Sequence, residues 1–203
     1  MAEETKKEEI LELVEFETKY ETTLDQLFPF KALVESMEYK NHKYVQGPDV
    51  FFTKGNETNI FARYRKAEHD KSGRAEFTVK EKLQKNSSVI RTETNWRVDK
   101  TPYPEIAKGA DMMGFEYNTR IWKACHIYDL DDATLVFYTV KDETNKLMHF
   151  MEIEVREDLK ITEDQGWEII RKYEAVLAPL GVSAQKRKRK SLFEMYRKVK
   201  SNG

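Results

Sequence analysis

The stretch at positions 14–20 reads VEFETKY and places Glu15, Glu17 and Lys19 at every second residue. On a β-strand these three side chains leave one face, with Val14, Phe16 and Thr18 on the other. The same spacing recurs along the chain. Arg63 and Arg65 alternate in FARYR, Lys80 and Lys82 in TVKEK, Arg91, Glu93, Asn95 and Arg97 in RTETNWR, and Glu152 and Glu154 in MEIEV. The first and last of these segments hold carboxylate pairs, and those between hold Arg and Lys. Clustered carboxylates repel one another, and a divalent cation relieves the repulsion; an all-oxygen donor set suits Mg²⁺ or Mn²⁺. The Arg and Lys faces require an anion, and a polyphosphate bridging to that metal satisfies both halves.

A sheet covered on one side alternates in the same way with nothing bound, its charged face simply solvated. The sorting of charge over five strands separates the two readings. Closed into a barrel with this face inward, the strands would line a lumen with opposed charges that must pair or hold a ligand.

The elements that must position these residues follow from periodicity. Strand one is expected near 12–21. Apolar residues at 24, 27, 28, 30, 33, 34 and 37 have helical spacing, with Pro29 in the first turn. YVQGPDVFFTK, NIFARYRK, RAEFTVKEKL and SVIRTETNWRVD read as successive strands separated by turn residues. PYPEIAKGADMMG reads as a helix opened by Pro104 and closed by Gly114, followed by strands near 115–128, 133–141 and 147–157. Thr162 and Gln165 form a capping box for a helix ending at Gly181. The basic segment 184–203 is expected to be helical, and residues 1–11 to fray or form a short helix. About eight strands and a few helices make an α+β, mainly antiparallel fold, and no linker or repeat divides positions 1–203.

Composition narrows the function classes. The chain has 203 residues, 35 Lys and Arg against 36 Asp and Glu, so any basic site must be local rather than a general affinity for polyanions. A single cysteine, Cys125, excludes an internal disulfide framework. No apolar run approaches a membrane span and the N-terminus lacks a signal-peptide core, so a soluble, cytoplasmic protein with no membrane partner is expected.

The order of the motifs resembles the CYTH superfamily, the triphosphate tunnel metalloenzymes. EFETK matches the E-x-E-x-K signature. Arg63 and Arg65 match R-x-R, Thr78 and Lys80 match T-x-K, and Arg91 and Glu93 match the start of R-x-E-x-E. Gly114 and Phe115 match the Gly-Phe after a helix, Arg120 and Lys123 the basic strand that follows, and Glu152 and Glu154 the final E-x-E. Asn95 stands where the second Glu of R-x-E-x-E is usual, and Cys125 where a basic residue often follows Lys123. The resemblance implies an eight-stranded antiparallel β-tunnel with flanking helices and a triphosphate-containing small molecule bound with Mg²⁺ or Mn²⁺. It implies Glu15, Glu17, Glu152 and Glu154 as metal ligands with Glu93 assisting. Lys19, Arg63, Arg65, Lys80, Lys82, Arg91, Arg120 and Lys123 would then contact phosphate. Glu15, Glu17, Lys19, Glu152 and Glu154 would be catalytic.

The activity so implied is hydrolysis of inorganic triphosphate or a small organic or nucleoside triphosphate. The alternatives are a class IV adenylate cyclase, an RNA 5′-triphosphatase acting on triphosphorylated RNA, and a non-catalytic nucleotide or polyphosphate binder. His42, His69, His126 and His149 have no metal spacing, and Cys125 reads as a small buried residue. The QKRKRK run reads as a solvated helix start, or as a lid bringing Lys186, Lys188 or Lys190 to the tunnel mouth, or as a nucleic-acid contact.

Overall fold

The computed structural model describes residues 10–11, 14–68, 74–82, 90–156 and 158–199. The expectations for most of the N-terminal segment, for His69 and for residues 200–203 lie outside the described residues. Eight strands close a barrel: β1 (Val14–Thr22), β2 (Asn41–Thr53), β3 (Ile60–Lys66), β4 (Ala75–Lys82), β5 (Ile90–Arg97), β6 (Glu116–Asp129), β7 (Ala133–Lys141) and β8 (Leu147–Val155). Around the wall the order is β1-β5-β4-β3-β2-β6-β7-β8, and β8 returns to β1. Every pairing is antiparallel. With its flanking helices this is the α+β tunnel the sequence implies.

Alternation decides what faces outward. Phe16 and Tyr20 of β1, Leu135 and Phe137 of β7, and Met151, Ile153 and Val155 of β8 are buried beneath two helices. These are α1 (Leu27–Glu35), which contributes Phe30 and Val34, and α3 (Glu163–Leu177), which contributes Ile170, Tyr173 and Leu177. Each large side chain so buried contributes roughly 1.5–3 kcal/mol. Gly166 of α3 lies on the ring of Phe16, where an added Cβ would come within 3.1 Å of it. The capping box of Thr162 and Gln165 forms as the spacing predicts. On the opposite wall Val50, Phe52, Ala62, Tyr64 and Phe77 pack under α2 (Tyr103–Met112), with Pro104 in its first turn and Gly114 at a φ of 80° beyond its end.

A third cluster sits inside the barrel. Phe51, Phe61, Ile121, Val136, Tyr138, Val140 and Phe150 fill one end around Phe193, which belongs to α4 (Leu192–Tyr196). The sequence expectation of a basic helix over 184–203 is thereby corrected. Ala184–Lys186 form one 3₁₀ turn, and α4 supplies only Leu192–Tyr196. The reason lies across the barrel. β5 pairs with β1 only as far as Phe16, which leaves the rest of that edge of β1 without a β5 partner. Arg187 bridges to Tyr20, and the Lys188 backbone N–H donates to the Lys19 carbonyl at 2.8 Å. Satisfying an open strand edge outweighs the local helical preference of a Lys- and Arg-rich run.

Candidate active site in the tunnel

Strand register decides which charges meet. Glu17 stands directly opposite Glu154, and Lys19 opposite Glu152, where β1 meets β8. Glu15 faces Arg91 where β1 meets β5. Lys80 faces Glu93 between β4 and β5. These residues, with Arg63, Arg65 and Lys123, line a cavity of about 280 Å³ in the middle of the barrel.

The cations are threaded among the carboxylates. Lys19 Nζ donates to Glu17 Oε1 at 2.5 Å and lies 3.4 Å from Glu152 Oε2. Lys80 bridges Glu15 and Glu93, at 2.7 Å from Glu93 Oε2. Arg91 Nη1 is 3.2 Å from Glu15 and 3.4 Å from Glu17. Arg63 Nη2 is 3.6 Å from Glu93, while its buried Nε has no hydrogen-bond partner among the described residues. A buried donor left unpaired costs about 1–3 kcal/mol, which an incoming anionic oxygen would recover.

The carboxylates are not equivalent. Burial, and then Glu15, Glu17 and Glu152, push the Glu154 carboxyl well above its ordinary range. It makes no ion pair among the described residues. Burial and Glu17 also raise Glu152, against the pull of Lys19 and Lys123, and Tyr138 Oη donates to Glu152 Oε2 at 2.9 Å. Glu17 goes the other way: burial opposes its ionisation, but Lys19, Arg91 and Lys80 hold it well below the usual carboxylate range.

Among the described residues no three acidic, His or Cys side chains converge as a metal site. The ammonium groups of Lys19 and Lys80 lie between the carboxylates instead. The donor chemistry still fits a hard divalent cation. All donors are oxygen, two carboxylates stand directly opposed, and burial beside other carboxylates raises Glu152 and Glu154, which a bound cation would relieve.

Two of the expected phosphate contacts lie outside the residues that line the cavity. Arg120 lies three residues from Lys123, an odd spacing, so the two leave opposite faces of β6. Lys123 points into the tunnel with its Nζ 4.2 Å from the Tyr138 ring centroid, whereas Arg120 is exposed in an outer recess beside Tyr103 and Tyr117. Lys82 is not among the residues lining the cavity; its ammonium donates to Glu194 Oε1 at 2.7 Å.

Several residues of the site were not anticipated. Asp49, 1% exposed, accepts from Arg65 Nε at 2.6 Å and from Arg65 Nη2 at 2.7 Å, fixing that guanidinium at the cavity wall. Its only sign in the sequence is an acid next to the apolar run VFF. Phe193 and Glu76 also line the cavity. Asn95 accepts a hydrogen bond from the Thr78 hydroxyl at 2.6 Å. Cys125 is buried, and burial raises its thiol. His42 and His126 stack on each other at 5.6 Å, away from the cavity.

No family model matches the sequence, and no curated protein matches it significantly. Solved structures do match. A protein of Pyrococcus horikoshii superposes with a TM-score of 0.69 and 22% identity, over 90% of this chain and 99% of its own. A proposed adenylate cyclase of Vibrio parahaemolyticus gives 0.65 and 16%, over 91% and 98%. A Hippeastrum protein, proposed as an adenylyl cyclase and described as having a dominant triphosphatase activity, gives 0.61 and 12%, over 90% and 94%. The chain shares the fold of these structures, a closed eight-stranded antiparallel barrel. At these identities the likeness concerns the fold alone, and the chemistry of this tunnel rests on its own side chains.

Proposed function

We propose that the chain is a divalent-metal-dependent hydrolase of a triphosphate, either inorganic or carried by a small organic group or nucleoside. The observation that carries this is the buried Arg63 Nε, without a hydrogen-bond partner among the described residues, at a cavity that Lys19, Lys80, Arg91 and Lys123 line together with the glutamates. An enclosed group of cations with an unmet donor suits a compact polyanion, and phosphoryl transfer needs positioning and charge neutralisation more than covalent chemistry. The triphosphatase activity described for the Hippeastrum neighbour supports the same reading.

In this reading Arg63, Arg65, Lys80, Arg91 and Lys123 bind phosphate oxygens, and Asp49 fixes the direction of Arg65. Lys19 sits between the acidic and the phosphate-binding halves. Mg²⁺ or Mn²⁺, held by Glu15, Glu17, Glu152 and Glu154 with Glu93 alongside, would neutralise phosphate charge and polarise a water. The cation's charge would return Glu154, raised in its absence, to the ionised form in which a carboxylate can ligate a metal or accept a proton.

A non-catalytic triphosphate binder is the second reading. It is favoured by Asn95, a neutral side chain already engaged by Thr78. The RNA reading is weakened in part, because two cations of the basic run are engaged locally, Arg187 by Glu174 and Lys188 by Glu21. Purified protein with Mg²⁺ or Mn²⁺ is assayed against inorganic triphosphate, ATP and triphosphorylated RNA. Released phosphate is expected. Pyrophosphate with a cyclic nucleotide would make it a cyclase, and tight binding without product a sequestering protein.

A further inference from the structure

The cavity is bounded differently at its two ends. At one end stands Phe193, 1% exposed, stacked on Phe61 at 4.7 Å and lying 5.8 Å from Phe51. The short helix that carries it is fastened at several points. The Ser191 hydroxyl accepts from the Glu194 backbone N–H at 3.2 Å, and the Ser191 N–H donates to Glu194 Oε2 at 2.9 Å. Lys82 donates to the other oxygen of Glu194 at 2.7 Å. Just beyond, Asn118 and Lys198 exchange two hydrogen bonds of 2.9 Å, and Arg197 donates to the Asn56 carbonyl at 2.9 Å. This end is packed protein.

The other end is different. Arg65 and Glu76 line both the central cavity and a second recess of about 690 Å³, which Lys43, Tyr44 and Arg74 also line. The second recess has room for an organic group; the Phe193 end has none.

We infer that the tunnel is blind, with Phe193 as its floor, and that it takes a phosphate chain only by a free terminal phosphate. This rests on the triphosphate reading of the tunnel and adds a rule about ligand shape. A ligand bearing one organic group leaves that group in the outer recess and lays its bare phosphate end toward Phe193. A phosphate chain capped at both ends must put its second cap where Phe61, Phe51 and Phe193 pack. An internal stretch of a long polyphosphate cannot thread through. Discrimination of this kind comes from steric exclusion of the wrong ligand rather than from added contacts to the right one.

The test compares ATP with diadenosine tetraphosphate, which carries the same base but no free phosphate end, by thermal stabilisation of the full chain in the presence of Mg²⁺. ATP and inorganic triphosphate are expected to stabilise the protein, and the doubly capped ligand to bind on the order of 100-fold more weakly. Equal binding of capped and uncapped ligands overturns the blind tunnel while leaving the triphosphate reading intact. Binding of neither ATP nor inorganic triphosphate overturns the triphosphate reading and this inference with it. In Phe193→Ala, with folding checked by circular dichroism, the difference between the ligands should narrow. A folded variant that still excludes the capped ligand removes Phe193 from its assigned role. The wild-type comparison stands whether or not the variant folds.

Discussion

Glu17 and Glu154 are direct cross-strand partners on β1 and β8, two carboxylates facing each other inside the barrel. Like charges in that position destabilise a sheet. Here the conflict is resolved by pushing Glu154 toward its protonated form while Lys19, Arg91 and Lys80 keep Glu17 ionised. A fold that keeps such a pair does so at a cost in stability, as ligand-binding centres commonly do.

Glu154→Gln should therefore separate stability from activity. In the presence of a chelator the variant should be more stable than the native chain by about 1 kcal/mol at neutral pH. Because Glu154 is raised in the folded state, its contribution is present in acid and is lost as pH rises through the folded value. The gain should vanish below about pH 4, where native and variant side chains are both neutral, and grow above it. Activity with Mg²⁺ should fall by on the order of 100-fold or more. Denaturant titrations across pH together with phosphate release check both; full activity would remove Glu154 from the metal-binding set.

Asp49 has the opposite sign. Burial disfavours its charge, but Arg65, Arg63 and Lys123 hold the carboxyl far below its ordinary value. Its stabilisation is present above the unfolded carboxyl value and is lost as pH falls. Asp49→Asn should cost about 3 kcal/mol, near the lower end for a broken buried pair because Arg65 keeps some contact with solvent. The acid limb of the stability curve should flatten correspondingly, as measured by unfolding at successive pH values.

Arg120 and Lys123 provide a test of which side of the wall does the chemistry. Arg120→Ala, on the outer surface, should leave stability within about 0.5 kcal/mol and turnover unchanged. Lys123→Ala should weaken triphosphate binding by on the order of tenfold. Steady-state rates over a substrate series check the pair; equal losses in both would place the phosphate site elsewhere.

Arg187 fastens the C-terminal segment. It donates to Glu174 at 2.6 and 2.7 Å and lies 4.7 Å from the Trp167 ring centroid, while Tyr20 donates to the same carboxylate at 2.7 Å. Arg187→Ala should cost about 1–3 kcal/mol. It should speed hydrogen exchange of the Lys188 amide, the donor to Lys19. It should also alter the Trp167 fluorescence. Unchanged exchange at Lys188 would show that the backbone contact holds without the clamp.

Period-two charge made the tunnel legible, because the side chains at 15, 17, 19, 152 and 154 obey a rule that depends only on strand geometry. The same rule, applied to 120 and 123, would have put Arg120 outside, and the motif match obscured it. Asp49 was hidden because a single acid has no period; only its partner on β3, set by register, gives it a role. The basic run at 186–190 misled for a related reason. Its conformation is dictated by an open edge on β1, more than 160 residues away in the chain, and local composition carries no trace of that.

The strap along β1 also bears on how this protein is made. Lys188 binds the backbone of a strand synthesised more than 160 residues before it, and Phe193 packs inside the barrel. A nascent chain on the ribosome can collapse and pair its hairpins, but its vessel stays leaky and its acidic interior wet until residues 187–196 emerge. Completion of the barrel thus waits on residues 187–196, and a translation arrest before residue 187 would yield a barrel with one strand edge of β1 unsatisfied and no Phe193 in its interior.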